Sequence, residues 1–249
     1  MLESVYPMPT QSSKPIAIFQ FSPRVKPGYF ATYLTAQGRP WVLYRIDQGA
    51  DLPTDISHFA GIGLMGGEMS VNDDLPWIGP MLSLIRHAVA QDIPVIGHCL
   101  GGQLLAKALG GEVTRHTQKE IGWGQLTVQP SPTAQAWLGD LTEFQTFQWH
   151  GDTFSLPPGA TLLCSSTYCT NQIYAIGPHL GMQCHIEMTP TLVRAWASAG
   201  EAEIRAELAQ GGQATQSPEV MQHNLEAQCE QLHQIAARLY AKWLNKGQL

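Results

Sequence analysis

The sequence predicts an α/β fold: a mostly parallel sheet with helices on both faces, a small antiparallel portion, and helices at the C-terminal end. Three observations carry this expectation. Between residues 15 and 98, short apolar runs rich in β-formers alternate with stretches of helical spacing, the pace of βαβ units. From residue 124 the chain breaks into short strand-like runs separated by turns. From Thr189 onward apolar residues return at helical intervals.

The elements follow in order. PIAIFQF (15–21) reads as the first strand, YFATYLTAQG (29–38) as a helix ending at Gly38, and WVLYRI (41–46) as a second strand. GIGLMGGEMSVNDDLPWI (61–78) reads as a strand entering a glycine turn and a polar loop. MLSLIRHAVAQ (81–91) is a helix leading into the strand IPVIGHC. GQLTVQP (124–130), EFQTFQWHG (143–151), TLLCSST (161–167), NQIYAIG (171–177) and LGMQCHIE (180–187) read as short strands, the last two joined by a GPH hairpin turn. Thr189 suits an N-cap with Pro190 in the first helical position. Met221, Leu225, Cys229, Leu232, Ala236, Leu239 and Trp243 recur at three or four residues, an apolar stripe that packs on the body of the domain. No repeat, linker or low-complexity segment interrupts this order. The expectation is one domain over residues 1–249, with 1–13 a loose tail and 190–249 a helical C-terminal part.

Composition narrows the function classes. With 249 residues, 44% of them hydrophobic, the chain can bury a sizeable core. Charged residues make up 14% and the formal net charge is −6, which gives no electrostatic reason for a nucleic-acid or anionic-membrane partner. No apolar stretch has the length of a membrane span, and MLESVYPMPTQSSKP lacks the basic-then-apolar pattern of a signal peptide. Five irregularly spaced cysteines form neither a disulfide framework nor paired zinc ligands. A reduced, cytoplasmic setting is expected.

The chemistry centres on PVIGHCLGGQLLAKALGG (94–111). Gly97-x-Cys99-x-Gly101 has the logic of the nucleophile elbow: small flanking residues permit a sharp strand-to-helix turn that holds the nucleophile at the strand's C-terminal edge. The helix that follows points its positive end at the sulfur, which favours thiolate. The dinucleotide fingerprint and the P-loop do not fit. A thiolate needs a base and a group to orient it. Among nine histidines His185 stands out, because residues two apart on a strand share a face, so Glu187 can fix its tautomer and leave the other ring nitrogen to the sulfur. The paired glycines of GLMGGEMS suit an oxyanion site, with the amides of Gly67 and Leu100 as donors.

These motifs resemble the class I (triad-type) glutamine amidotransferase family, in particular its free-standing GMP synthase-like group. GHCLGGQLLAKALGGEV is similar to the family's G-x-C-x-G-x-Q signature, GGEMSVND to its oxyanion loop, WHGDTFSLPPGA to its mid-domain loop and MQCHIEMTP to its His-x-Glu end, in matching order over roughly residues 55 to 190. The resemblance implies a flavodoxin-like fold and hydrolysis of a γ-glutamyl amide through a thioester. Cys99 would be the nucleophile, His185 the base and Glu187 its orienter. Gln103 would contact the substrate glutamine, and Trp149, His150 and Gly151 would lie in the loop that holds its amino-acid end. Glu68, His98 and Ile186 depart from the family's proline, small aliphatic and proline. Trp149 stands where many members have serine or asparagine, and its ring would reshape that end of the pocket.

The half-reaction needs no metal or other cofactor. The residues after Glu187 carry no nucleotide-activating Ser-Gly-Gly-x-Asp loop, so either a separate synthetase subunit accepts the ammonia or the protein is a free-standing hydrolase. A γ-glutamyl peptidase acting on γ-glutamyl amines or glutathione-like peptides would use the same triad. A non-catalytic binding member of the fold is the third reading.

Overall fold

The computed structural model describes residues 14–247; the tail expected over 1–13 lies outside them. The elements run β1 (Ile16–Gln20), α1 (Gly28–Ala36), β2 (Trp41–Arg45), β3 (Gly61–Leu64), α2 (Ile78–Ala90), β4 (Val95–His98) and α3 (Leu100–Ala108). They continue with β5 (Val113–Val128), α4 (Pro132–Leu138), β6 (Glu143–Phe154), β7 (Thr161–Ser166), β8 (Ile173–Ile176) and β9 (His179–Met182). Helices α5 (Pro190–Ala199), α6 (Glu201–Ala209), α7 (Pro218–Gln222) and α8 (Leu225–Leu244) complete the order. One sheet holds all these strands in the order β2-β1-β3-β4-β9-β8-β7-β5-β6. It is parallel from β2 across to β9 and antiparallel from β9 to β6.

Strand periodicity sorts the core. Successive side chains point to opposite faces, so Ile16 and Ile18 join one apolar layer while Ala17 and Phe19 join the other. The first layer is covered by α1, α4, α5 and α8, the second by α2 and α3. The C-terminal stripe packs as its spacing demands: Leu225, Cys229, Leu232, Ala236, Leu239 and Trp243 of α8 are all buried, with Met221 contributed by α7. Thr189 caps α5 by accepting from the Leu192 amide, with Pro190 in the first turn.

Three local expectations change. The segments expected over 124–130 and 143–151 belong to two long paired strands: β5 reaches back to Val113 and ends at Val128, and β6 runs on to Phe154, because the positions beyond a bulge between Arg115 and Glu120 continue the ladder. Between these strands Ser131 caps a short helix, α4, that the sequence reading did not include. The strand expected over 180–187 ends at Met182. Beyond it the His185 N–H turns to the Phe147 carbonyl of β6, forming an isolated bridge that lifts this segment out of the β4–β9 pairing. Among the described residues no helix is long and apolar enough to cross a membrane.

Candidate active site

Cys99 sits between β4 and α3 with φ 51° and ψ −110°, a conformation that non-glycine residues rarely adopt. The surrounding glycines make the turn possible by close approach. A Cβ on Gly97 would meet the Gly101 carbonyl oxygen at 2.3 Å, and one on Gly101 would meet the Leu64 carbonyl oxygen at 2.3 Å. The elbow therefore closes only with hydrogen at both positions. The Cys99 amide donates to the Met182 carbonyl of β9 at 2.9 Å, which ties the turn to the strand that leads toward His185.

His185 and Glu187 meet as the alternation predicted, although not on a regular strand. Nδ1 lies 2.6 Å from Glu187 Oε1, and both side chains are almost wholly buried. Burial opposes the charged imidazole, but the Glu187 carboxylate and then the Cys99 sulfur outweigh it and hold His185 well above the ordinary histidine range. For Glu187, burial pushes the carboxyl up and the facing His185 more than offsets it, so the group stays below its usual value. Ile186, between them, points the other way into the core. Gly66 lies beside this pair: a Cβ there would meet His185 Cε1 at 3.0 Å and Cys99 Cβ at 3.5 Å.

A cavity of about 460 Å³ opens over these groups, lined by Cys99, His185, Gly67, Gln103, Trp149 and Gly151 among others. Gly67 and Leu100 are neighbours, since a Cβ on Gly67 would lie 2.9 Å from Leu100 Cδ2. As the first residue of α3, directly after Cys99, Leu100 has an amide free of the intrahelical ladder. Gln103, one turn along α3, donates from Nε2 to Gln183 Oε1 at 3.1 Å, and Gln183 Nε2 donates in turn to Cys99 Sγ at 3.6 Å. Sequence reasoning missed Gln183; the signal was there, because 183, 185 and 187 share one parity. It also missed Arg24, Trp196 and Glu203, which reach the cavity from the β1–α1 loop, α5 and α6.

The Trp149 carbonyl lies 3.7 Å from Cys99 Sγ. Its indole swings to the outer wall, where Nε1–H donates to Glu203 Oε2 at 3.1 Å and the ring packs edge-on to Trp196. His150 lines the cavity, but its side chain is turned into a buried cluster: Nε2 is 2.9 Å from Glu120 Oε2, and Nδ1 faces the Asp152 carbonyl at 3.0 Å. Glu120, His150 and Cys169 offer ligand atoms within 4.8 Å of one another, a spacing that could hold a metal ion. Both oxygens of the carboxylate there are already engaged, Oε1 accepting from Ser166 at 2.8 Å and Oε2 from Gln172 at 2.7 Å.

His98, the other departure in the elbow, is a buried brace. Its Nδ1 faces the Leu64 carbonyl, which can only accept, so Nε2 is left to accept from the Tyr240 hydroxyl of α8 at 3.1 Å. Burial pushes its pKa down, which keeps the ring neutral.

A model of the glutamine amidotransferase class-I family matches residues 30–195. The glutamine amidotransferase-like protein YfeJ of Salmonella typhimurium is 30% identical over 167 residues, covering 64% of this chain and 70% of that protein. γ-Glutamyl peptidase 3 of Arabidopsis thaliana is 25% identical over 171 residues, 64% of this chain and 68% of its own length. A glutamine-hydrolysing GMP synthase of Bacillus velezensis is 33% identical over 132 residues, but the match spans only 24% of that protein. Among solved structures, a glutamine amidotransferase of Methylobacillus flagellatus superposes with a TM-score of 0.92 at 44% identity, over 94% of this chain and 96% of its own. With its elbow, His-x-Glu segment and sheet order, the chain belongs to the class-I glutamine amidotransferase family.

Proposed function

We propose that the protein hydrolyses the amide of a γ-glutamyl group through a thioester on Cys99, glutamine being the smallest substrate of that kind. The observation that carries this reading is the buried His185–Glu187 pair at 2.6 Å beside a cysteine held at a strained elbow under an open cavity. The Cys99 thiolate attacks the side-chain carbonyl carbon, forming the C–S bond. The amides of Gly67 and Leu100 hold the oxyanion. The His185 imidazolium gives its proton to the departing nitrogen as the C–N bond breaks, so ammonia or an amine leaves. The neutral ring then takes a proton from water, and the hydroxide attacks the thioester. The C–S bond breaks, glutamate leaves, and the thiolate–imidazolium pair is restored. Glu187 holds the ring in its tautomer throughout. Gln103 and the backbone of His150 and Gly151 bind the glutamyl end, and Trp149 shapes the outer wall.

Two fates of the nitrogen are compatible with this chemistry. Ammonia from glutamine would serve a separate synthetase subunit. A larger leaving amine would make the protein a γ-glutamyl peptidase or hydrolase, and the cavity, about 460 Å³ and open to solvent, has room for one. Release of ammonia from glutamine, measured beside amine release from a set of γ-glutamyl amides, tests both. Turnover that needs Cys99 is the expected result; turnover that survives Cys99→Ala would overturn the assignment.

A further inference from the structure

The two ends of the cavity differ in chemistry. Around the sulfur lie Gly67, Gln103 and Gly151, which offer backbone and amide groups. Beyond His185 the wall is aromatic and charged. The Trp196 ring meets the His185 ring edge-on, centroids 4.8 Å apart at 89°. Its Nε1–H donates to the Arg24 main-chain carbonyl at 3.0 Å, which pins the loop that carries Arg24 to the His185 side of the cavity.

The direction of the reaction assigns these ends. The acyl carbon bonds to Cys99, and the leaving nitrogen must lie where His185 can protonate it. The leaving amine therefore extends past His185 toward Trp196 and Arg24, while the glutamyl end extends the other way. The cations on this wall are not equivalent. Lys119 is occupied by Glu203 at 2.6 Å and Glu207 at 3.0 Å, and Arg115 faces Asp152 at 3.9 Å. Among the described residues Arg24 forms no ion pair, although it lines the cavity. Of the carboxylates that line the cavity, Glu203 is engaged by Lys119 and Trp149, Asp152 by the Ser70 hydroxyl and Asp73 by the Ser70 amide, while Glu68, beside Gly67, forms no ion pair among the described residues. Arg115 is largely exposed and makes no hydrogen bond to Asp152, so what sets Arg24 apart is its place, tied through its own carbonyl to the Trp196 that packs on His185; its planar fork of donors matches a carboxylate.

Resting on the thioester reading above, we infer that Arg24 and Trp196 form a leaving-group subsite for an amine that carries a carboxylate, so that the preferred substrates are γ-glutamyl amino acids or short γ-glutamyl peptides. Arg24 sets specificity in this assignment and takes no part in bond breaking.

The test compares kcat/KM for γ-glutamylglycine and γ-glutamylglycinamide, which differ at the carboxylate, on wild type, Arg24→Ala and Arg24→Lys. Because each ratio is taken on one preparation, a partly unfolded variant does not distort it. The expected result is a wild-type preference for γ-glutamylglycine that falls by about ten- to a hundredfold in Arg24→Ala, the usual worth of a charge-assisted hydrogen bond, with Arg24→Lys between the two. A wild-type preference for the glycinamide, or a ratio unmoved by Arg24→Ala, overturns the subsite while leaving the thioester chemistry standing. If wild type turns over neither compound and not glutamine either, the thioester reading itself fails and this inference fails with it.

Discussion

Two buried histidine–carboxylate pairs lie close together in this protein, and they behave differently. His185–Glu187 and His150–Glu120 have contacts of 2.6 and 2.9 Å, and all four side chains are nearly inaccessible. Each even has a cysteine nearby, Cys99 for the first and Cys169 for the second. A short contact and burial therefore do not single out a reactive site. What separates the pairs is the rest of their surroundings. The second nitrogen of His150 is tied to the Asp152 carbonyl, and Glu120 accepts from Ser166 and Gln172 as well. Burial pushes the Cys169 thiol up, which keeps it from thiolate. That cluster is closed and acts as a brace for β5, β6 and the β7–β8 region. The His185 ring instead faces the elbow sulfur and the cavity, and Glu187 keeps one oxygen without a hydrogen-bond partner. In the proposed mechanism, reactivity follows from the open side of the pair.

The contrast breaks most sharply at the cysteines. Cys99→Ala is expected to lower kcat for γ-glutamyl amide hydrolysis by about a thousandfold or more, whereas Cys169→Ala leaves turnover near the wild-type rate; steady-state assays on both variants check this. Next is Glu187→Gln, expected to cost about a hundredfold or more in kcat. Its pH profile is the sharper readout. His185 is raised in the folded protein by Glu187, so the alkaline limb of kcat/KM, where the proton donor is lost, lies above the ordinary histidine range in wild type. Removing the carboxylate moves that limb down. An alkaline limb at the same pH in both proteins would mean that another group sets it.

Stability follows the same sign logic. Because Glu187 is lowered, its contribution is present above the ordinary glutamate value and is lost as pH falls through the lowered one. Because His185 is raised, its contribution is present below the ordinary histidine value and is lost as pH rises through the raised one. Denaturant midpoints across pH should show wild type gaining most over Glu187→Gln between those limits.

For the closed pair the effect moves from rate to stability. Glu120→Ala strands His150 in the interior and is expected to cost about 3–5 kcal/mol, read as a lower denaturation midpoint, with a much smaller loss in the rate per folded molecule. The smallest effect tests the contact between the two halves of the open site. In Gly66→Ala the new methyl presses on His185 Cε1 at 3.0 Å and Val25 at 3.1 Å, so kcat should fall by about tenfold or less through displacement of the ring.

Much of this arrangement was legible in the sequence, and the reasons are local. The elbow is written in glycine spacing that a strand-to-helix turn requires. The His185–Glu187 pair is written in an i, i+2 alternation that survives even though β9 stops at Met182. The α8 stripe is written in helical spacing, and its members are buried as expected. What could not be read depends on contacts between distant segments. β5 and β6 are long because they pair with each other, and their polar residues hide that length from a periodicity reading. The outer cavity wall assembles Arg24, Trp149, Trp196 and Glu203 from a loop, a strand and two helices, and nothing local in any of them marks the others. The Trp149 substitution was visible, but its ring turned to the wall to meet Glu203 and Gly200, which only the packing of α6 determines.

The central claim is a covalent γ-glutamyl thioester on Cys99. Mixing the protein with a γ-glutamyl amide, quenching in acid during turnover and mapping the adduct by peptide mass spectrometry tests it most directly. The account predicts one γ-glutamyl group on the Cys99 peptide, forming and decaying at rates that match turnover and persisting longer in Glu187→Gln. Steady turnover with Cys99 unmodified at every quench time, or an adduct on another residue, would contradict it.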